Sequence, residues 1–187
     1  AAGTAIATFL VKHVTDVISV DTHGIINNGD KTTQEKYRAR LASITNKNNL
    51  EGSLQDALKG ADVFVGVSRG NLLKSKDIEL MGEKPIVFAM ANPTPEIMPD
   101  EAKKGGAYII ATGRSDFPNQ INNSLAFPGI FKGALEAKAT KITKDMKIAA
   151  AYALAGLVKK PTVDKIIPGP FDKGIVDAVS KAVIKAA

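Results

Sequence analysis

Apolar positions along this chain switch between two spacings, and each switch marks a new element. Ile6, Phe9, Leu10 and Val14 fall roughly at i, i+3, i+4 and i+8, which predicts an amphipathic helix from the first residues onward. Val17-Ile18-Ser19-Val20 follows as a short β-branched run, a predicted strand ending in Asp21. Beyond a turn at Asn27-Asn28-Gly29-Asp30, residues 33–43 are charged and helix-favouring, with Tyr37, Leu41 and Ile44 on one side. Residues 53–60 predict a short helix stopped by Gly60. Residues 62–68 are nearly continuously apolar, as a parallel strand covered on both faces requires, and the run breaks into Arg69-Gly70.

The alternation repeats, with a helix over 76–81, a strand over 85–90, a helical turn over 100–104 and a strand over 107–111. After Gly113 the spacing is helical, near 121–125, 128–138, 143–158 and 172–186, with Thr143 and Asp172 as expected N-caps. The last segment sets Ile175, Val176, Val179 and Val183 on one face. This order predicts an α/β fold with a doubly wound (Rossmann-like), mostly parallel sheet, helices on both faces and additional C-terminal helices. Residues 1–137 are expected to supply the sheet and its loops, and residues 138–187 the C-terminal helices.

Composition narrows the class. A chain of 187 residues with 44% hydrophobic and 24% charged positions matches a soluble globular domain, not a disordered, collagen-like or membrane protein. Without cysteine there is no disulfide framework and no thiolate zinc site, and only His13 and His23 offer imidazoles; the composition fits a reducing compartment, so a cytoplasmic location is expected. The net charge of +6 is spread along the chain and aromatics are only 5%, so neither nucleic acid nor a membrane is an expected partner. The chain opens on Ala1-Ala2-Gly3 with no methionine and no leader pattern, which reads as a piece cut from a longer protein and lacking its first strand.

Helix, strand and strand-terminal acid in that order form the second half of a dinucleotide-binding βαβ unit, with pyrophosphate on the helix N-terminus and ribose hydroxyls on the acid. Gly3 and Asp21 are 18 positions apart, against an expected spacing of about 20. Three polar clusters fall where predicted strands end: Val67-Ser68, Asn92-Pro93-Thr94-Pro95-Glu96, and residues 112–123 with Gly113, Asn122 and Asn123. Such ends converge on one crevice in an open α/β sheet. Asparagine amides there orient a carboxylate or carboxamide without adding charge. Arg114, Asp116 and Glu96 read as salt-bridge or capping partners that shape the loops, and Tyr37, Tyr108 and Tyr152 as packing or surface residues.

Taken together, Ala1-Ala2-Gly3, Val20-Asp21 with Gly24, Gly66-Val67-Ser68, Phe88 through Ala102, and Thr112 through Asn123 to Phe131 closely resemble the cofactor domain of malic enzymes, particularly the shorter prokaryotic-type form. The resemblance runs from Gly3 to about Val158 and continues more loosely to the C-terminus. It implies oxidative decarboxylation of L-malate to pyruvate and carbon dioxide, with NAD or NADP taking the hydride and Mg or Mn acting as Lewis acid. By motif position it implies Asn92 and Asn123 at the substrate and nicotinamide, and Asn122 and Gly113 near the cofactor. Gly3 matches the last glycine of the fingerprint, Asp21 the adenosine-ribose acid, and Val67 and Ser68 the loop beneath the dinucleotide.

The family's catalytic Tyr and Lys and its metal-binding Glu and Asp lie before the fingerprint. The resemblance therefore assigns no catalytic acid, base or metal ligand to this chain, implies that Mg or Mn is bound mainly by a missing N-terminal catalytic domain, and implies that this piece is inactive by itself. It also implies a homodimer. With Thr22-His23-Gly24 after the acid there is no adjacent Lys or Arg to hold a ribose phosphate, which favours NAD over NADP. Two other functions compete: a nucleotide-binding or regulatory module without chemistry, and another two-domain dehydrogenase acting on an amino acid or a methylene-folate. The Asn-Pro-Thr-Pro-Glu and Phe-Pro-Asn-Gln-Ile-Asn-Asn runs argue against the second of these.

Overall fold

The computed structural model describes residues 2–29 and 36–187, with Lys36 and Tyr37 by their backbone alone. Ala1, Asp30 of the predicted turn, the first residues of the helix expected over 33–43 and the Tyr37 side chain lie outside the described residues. Three short strands, β3 (Val63–Gly66), β4 (Ile86–Ala89) and β5 (Ile109–Thr112), form a parallel sheet in that order. Helices α3 (Leu54–Leu58), α4 (Ser75–Ile78) and α5 (Pro99–Lys104) alternate with them, so the α/β alternation of the sequence is the architecture.

Register explains the core. Phe64 pairs with Val87 and Val87 with Ile110, which sets these side chains on one sheet face, where they are buried with Leu58, Leu73, Ile78, Met81 and Ala102 from the crossover segments. The other face is less covered: Val63 is 43% exposed, and Ile86, Phe88 and Ile109 are half-buried. Near-continuous apolar strands thus meet a tightly packed layer on one side and a thinner one on the other.

Helix α1 (Ala2–Leu10) and α2 (Lys36–Ile44) pack around Ala7, Ile26, Leu41 and Ala42. The helix of the opening segment stops at Leu10, so Val14 is off its apolar face and 44% exposed. The strand expected over 17–20 is reduced to β1 (Val20–Asp21), which ladders antiparallel with β2 (Gly24–Ile25) instead of joining the parallel sheet. Among the described residues β1 and β3 lie in separate sheets, and residues 17–19 are held by single bonds such as Asn46 N to Val17 O (2.8 Å) and Ile26 N to Ser19 O (2.9 Å).

The remaining helices form a cluster of their own. A 3-10 turn (Asn123–Leu125), α6 (Phe127–Glu136), α7 (Lys144–Leu157) and α8 (Ile175–Lys185) bury Leu125, Met146, Ala150, Leu154, Val179 and Val183 together. Thr143 caps α7 as expected, its Oγ1 accepting from Met146 N at 3.2 Å. Asp172 does not cap α8. Gly174, at φ +84°, is the N-cap, and Asp172 closes the preceding turn by accepting from Gly169 N (3.1 Å) and pairing with Lys165; the Gly169 bond and that pairing hold its carboxyl below the usual range. On α6, Phe127, Phe131 and Leu135 repeat every four residues and are 52%, 54% and 76% exposed, an apolar stripe facing outward.

Close approach of α6 and α8 depends on two glycines one turn apart. A Cβ on Gly129 would stand 2.6 Å from Val179 Cβ, and one on Gly133 would stand 2.7 Å from Ser180 O and 2.8 Å from Val183 Cβ. Gly133→Leu is therefore expected to destabilise by about 1–3 kcal/mol through overpacking. Gly156, where a Cβ meets nothing within 4 Å, should instead gain about 0.5–1 kcal/mol as Gly156→Ala. Denaturant midpoints of the two variants should move in opposite directions, and equal effects would sink this reading of the helix contact.

Candidate functional site

The site begins with strand register. Gly66 pairs with Ala89 and Ala89 with Thr112, so the final residues of the three strands are level. Val67-Ser68, Met90-Ala91-Asn92 and Gly113 consequently leave the sheet side by side at its carboxyl edge, where an open α/β sheet places its ligand. Met90 N still donates to Gly66 O (3.1 Å), which carries the β3 and β4 pairing one step past the strands.

Beneath that edge lies Glu96, with 0% exposure. Its Oε1 accepts from Ser68 N at 2.8 Å and its Oε2 from Ala91 N at 2.9 Å. A carboxylate removed from water needs such charge-assisted bonds, and here two backbone amides supply them. Gly66 makes the room: a Cβ there would lie 2.6 Å from Glu96 Oε1 and 2.8 Å from its Cγ. Asn71 N to Pro95 O (3.0 Å) and Leu73 N to Glu96 O (2.9 Å) sew the same two loops together further on. Glu96 is thus the capping residue expected, but for loop backbone rather than a helix, and no cation shares it among the described residues.

The third loop is shaped separately. Ile121 N donates to Thr112 O (2.8 Å), folding residues 113–120 back on β5. Asn119, which the sequence reading did not single out within this run, is 6% exposed and holds the loop: its Nδ2 donates to Ile110 O (3.0 Å) and Val163 O (2.8 Å), and its Oδ1 accepts from Ile166 N (2.9 Å). The available signal was an asparagine directly after Pro118 in a polar run, a residue type that tolerates the φ of +56° it adopts. Arg114 and Asp116 form the expected local ion pair through bonds of 2.8 and 2.7 Å, and this keeps the Asp116 carboxyl below its ordinary range. Tyr108 and Tyr152 are exposed, as a surface role requires.

Gly113 sits between the carbonyls of Ile121 and Met90, which would lie 3.8 and 3.9 Å from a Cβ on it. Asn123 and Asn92 each follow one of those carbonyls by two residues. Both are exposed, and neither side chain hydrogen-bonds among the described residues. Asn122, by contrast, uses its Oδ1 to cap the 3-10 turn, accepting from Ser124 N at 2.9 Å. Two uncharged amides are therefore open to a ligand, and the third is partly spent on positioning them.

At the opposite end, Gly3 lies in the first turn of α1, and a Cβ on it would come within 3.6 Å of Val67 Cγ2. The electropositive N-terminal end of α1 thus stands against the loop that leaves β3, a fit for phosphate oxygens. Asp21 ends β1 with a carboxylate that is 32% exposed; Oδ1 accepts from His23 N (2.8 Å) and Oδ2 pairs with Arg38 Nη1 (2.9 Å). Arg38 was missed because it arrives from α2 rather than from beside the acid. Helix N-terminus, acid and neutral amides fit a dinucleotide. A metal ion is not fitted: among the described residues no three His, Asp or Glu gather.

Glu96 supplies a test of this construction. Glu96→Ala should leave two backbone donors unpaired, at about 1–3 kcal/mol each where water does not reach them. Glu96→Gln should cost a comparable amount, since its Nε2 would face one of those N–H groups donor to donor. Chemical denaturation reads both, and a Glu96→Gln variant as stable as the parent would contradict the two-amide role.

Comparison with known proteins agrees with this geometry. The family described as malic enzyme, NAD binding domain, matches residues 10–187. A bifunctional malic/malolactic enzyme of Bacillus subtilis is 48% identical over 100% of this chain and 46% of its own length. An NADP-dependent malic enzyme of Halomonas elongata is 42% identical over 92% of this chain and 44% of its own. The crystal structure of an NAD-dependent malic enzyme from Thermotoga maritima superposes with a TM-score of 0.94 at 49% identity, covering 99% of this chain and 49% of that one. The chain thus spans about half the length of these relatives, and it belongs to the malic enzyme NAD-binding domain family.

Proposed function

We propose that this chain is the dinucleotide-binding part of a malic enzyme that converts L-malate and NAD to pyruvate, carbon dioxide and NADH. The observation that carries the reading is the level ending of β3, β4 and β5, from which Val67-Ser68, Asn92 and Gly113 follow along one edge, with Gly3 in the first turn of α1 against Val67. In this reading residues 1–187 act as one unit, with residues 1–137 supplying sheet and loops and residues 138–187 the helices that support α6. A partner N-terminal catalytic domain supplies the acid, base and most ligands of Mg or Mn, and the assembled enzyme is a cytoplasmic homodimer.

When bound, the nicotinamide takes up the two electrons that leave the malate alcohol carbon. This chain's residues bind and orient. The first turn of α1 at Gly3 receives pyrophosphate oxygens, Asp21 accepts from the adenosine ribose hydroxyls, and Val67 and Ser68 pass under the dinucleotide. Gly113 leaves the edge open beside Met90. Asn92 and Asn123 donate and accept at carboxamide and carboxylate groups without a net charge that would bias either, while Asn122 holds the 3-10 turn from which Asn123 projects.

The direct test is malate-dependent reduction of NAD and NADP, with Mn present, by the whole enzyme beside the 187-residue chain. Turnover by the whole enzyme alone supports the proposal, and no turnover by either would favour a nucleotide-binding module. In the whole enzyme Asn123→Ala should lower kcat/KM for malate by an amount equivalent to about 1–3 kcal/mol while changing NAD binding less. An unchanged malate response would remove Asn123 from the site.

A further inference from the structure

The strand ends carry few charges, and one of them is shut away from water. On the segments that leave β3, β4 and β5 (residues 67–70, 90–96 and 113–123) the ionisable groups are Arg69, Glu96, Arg114 and Asp116. Arg69 is exposed, and Arg114 and Asp116 pair with each other at 2.7 Å with side chains 41% and 53% exposed, so water attenuates the fields of all three. Glu96 differs from them. It is fully buried, and both of its oxygens accept from N–H donors, Ser68 N at 2.8 Å and Ala91 N at 2.9 Å, a geometry that suits the ionised form. Its charge acts through protein, where the effective dielectric is lower and salt does not reach. The amides that hold it belong to Ser68 and to the residue one peptide unit, about 3.8 Å between Cα atoms, before Asn92.

Resting on the dinucleotide reading above, we propose that Glu96 tunes the nicotinamide couple: its buried negative charge favours the oxidised ring, which is positively charged, over the reduced ring, which is neutral. The two forms of the nucleotide differ only in that ring, so contacts to pyrophosphate, ribose and carboxamide contribute nearly equally to both and cancel in the comparison. A fixed anion does not cancel. It holds the oxidised form more tightly, lowers the reduction potential of the bound couple and lets the reduced nucleotide leave more readily. Neutral amides at Asn92 and Asn123 suit this arrangement, since a cation at either position would offset the bias. Bracing the loops and biasing the couple are separable roles. Bracing needs two acceptor oxygens at fixed places, whereas the bias needs only the charge.

The test uses the whole enzyme and three probes, NAD, NADH and ADP-ribose, which lacks the nicotinamide ring, with affinities read by titration calorimetry. Glu96→Gln removes the charge, and Glu96→Asp keeps it while drawing the carboxylate back by one methylene from the two amides. Both variants lose bracing, so a merely structural role moves NAD and NADH together. The ratio of the NADH to the NAD dissociation constant should fall about fivefold in Glu96→Gln and stay within about twofold of the parent in Glu96→Asp. Equal weakening of NAD and NADH in Glu96→Gln, or the same change of ratio in both variants, overturns the proposal and leaves Glu96 as a brace alone. Should Glu96→Gln not fold, the parent carries the test: measured against ADP-ribose, the oxidised ring should add about threefold more affinity than the reduced ring, and a reduced ring that adds as much or more overturns the assignment. Binding of none of the three by the parent would defeat the dinucleotide reading itself and this proposal with it.

Discussion

A carboxylate buried with no cation beside it among the described residues is expensive unless its oxygens are met, and the site edge of this domain is organised around meeting them. Glu96 takes one backbone amide from the loop after β3 and one from the loop after β4. Those loops are 28 and 5 residues away from it in the chain, so a single side chain fixes segments that share no local geometry. Removing either amide leaves charge unpaid in a dry place, and that is why the two loops have one arrangement. Gly66 follows from the same constraint, since any side chain there would occupy the Glu96 carboxyl group. Ser68 is itself anchored and Asn92 directly follows the anchored Ala91, so both inherit their positions.

The rest of the molecule supports that edge from two sides. Below, Phe64, Val87 and Ile110 fill one face of the sheet with apolar side chains from three crossovers. Beyond β5, Asn119 binds the third loop to Ile110 on one side and to Val163 and Ile166 on the other, so a buried amide ties the segment between α7 and α8 to the sheet. The third strand end is therefore held by a neutral hub and the first two by a charged one. Both leave the outermost amides, Asn92 and Asn123, open.

Much of this was legible in the sequence. Continuous apolar runs that break at Ser68, Asn92 and Gly113 place the strands and their ends to within two residues, because strands inside a sheet covered on both faces are built mainly from apolar side chains. Thr143 was legible as a cap because the bond it makes is local. What could not be read was long-range. Arg38 lies 17 positions after Asp21 in the chain, so inspection of residues 22–24 alone pointed to no cation near the acid. Asp172 had cap chemistry but was drawn into an earlier turn by Gly169, and of the run 17–20, which had strand composition, only Val20 enters a ladder, antiparallel with Ile25. Glu96 read as a loop-shaping acid, yet its burial depends on Gly66, a residue on another strand.

The central claim is that three strand ends and the start of α1 form one dinucleotide crevice. Hydrogen–deuterium exchange of the whole enzyme with and without NAD tests it most directly. The account predicts slowed exchange together in residues 3–6, 67–70, 90–92 and 113–123, with the outward face of α6 unchanged. Protection confined to any other surface, or none at saturating NAD, would contradict it.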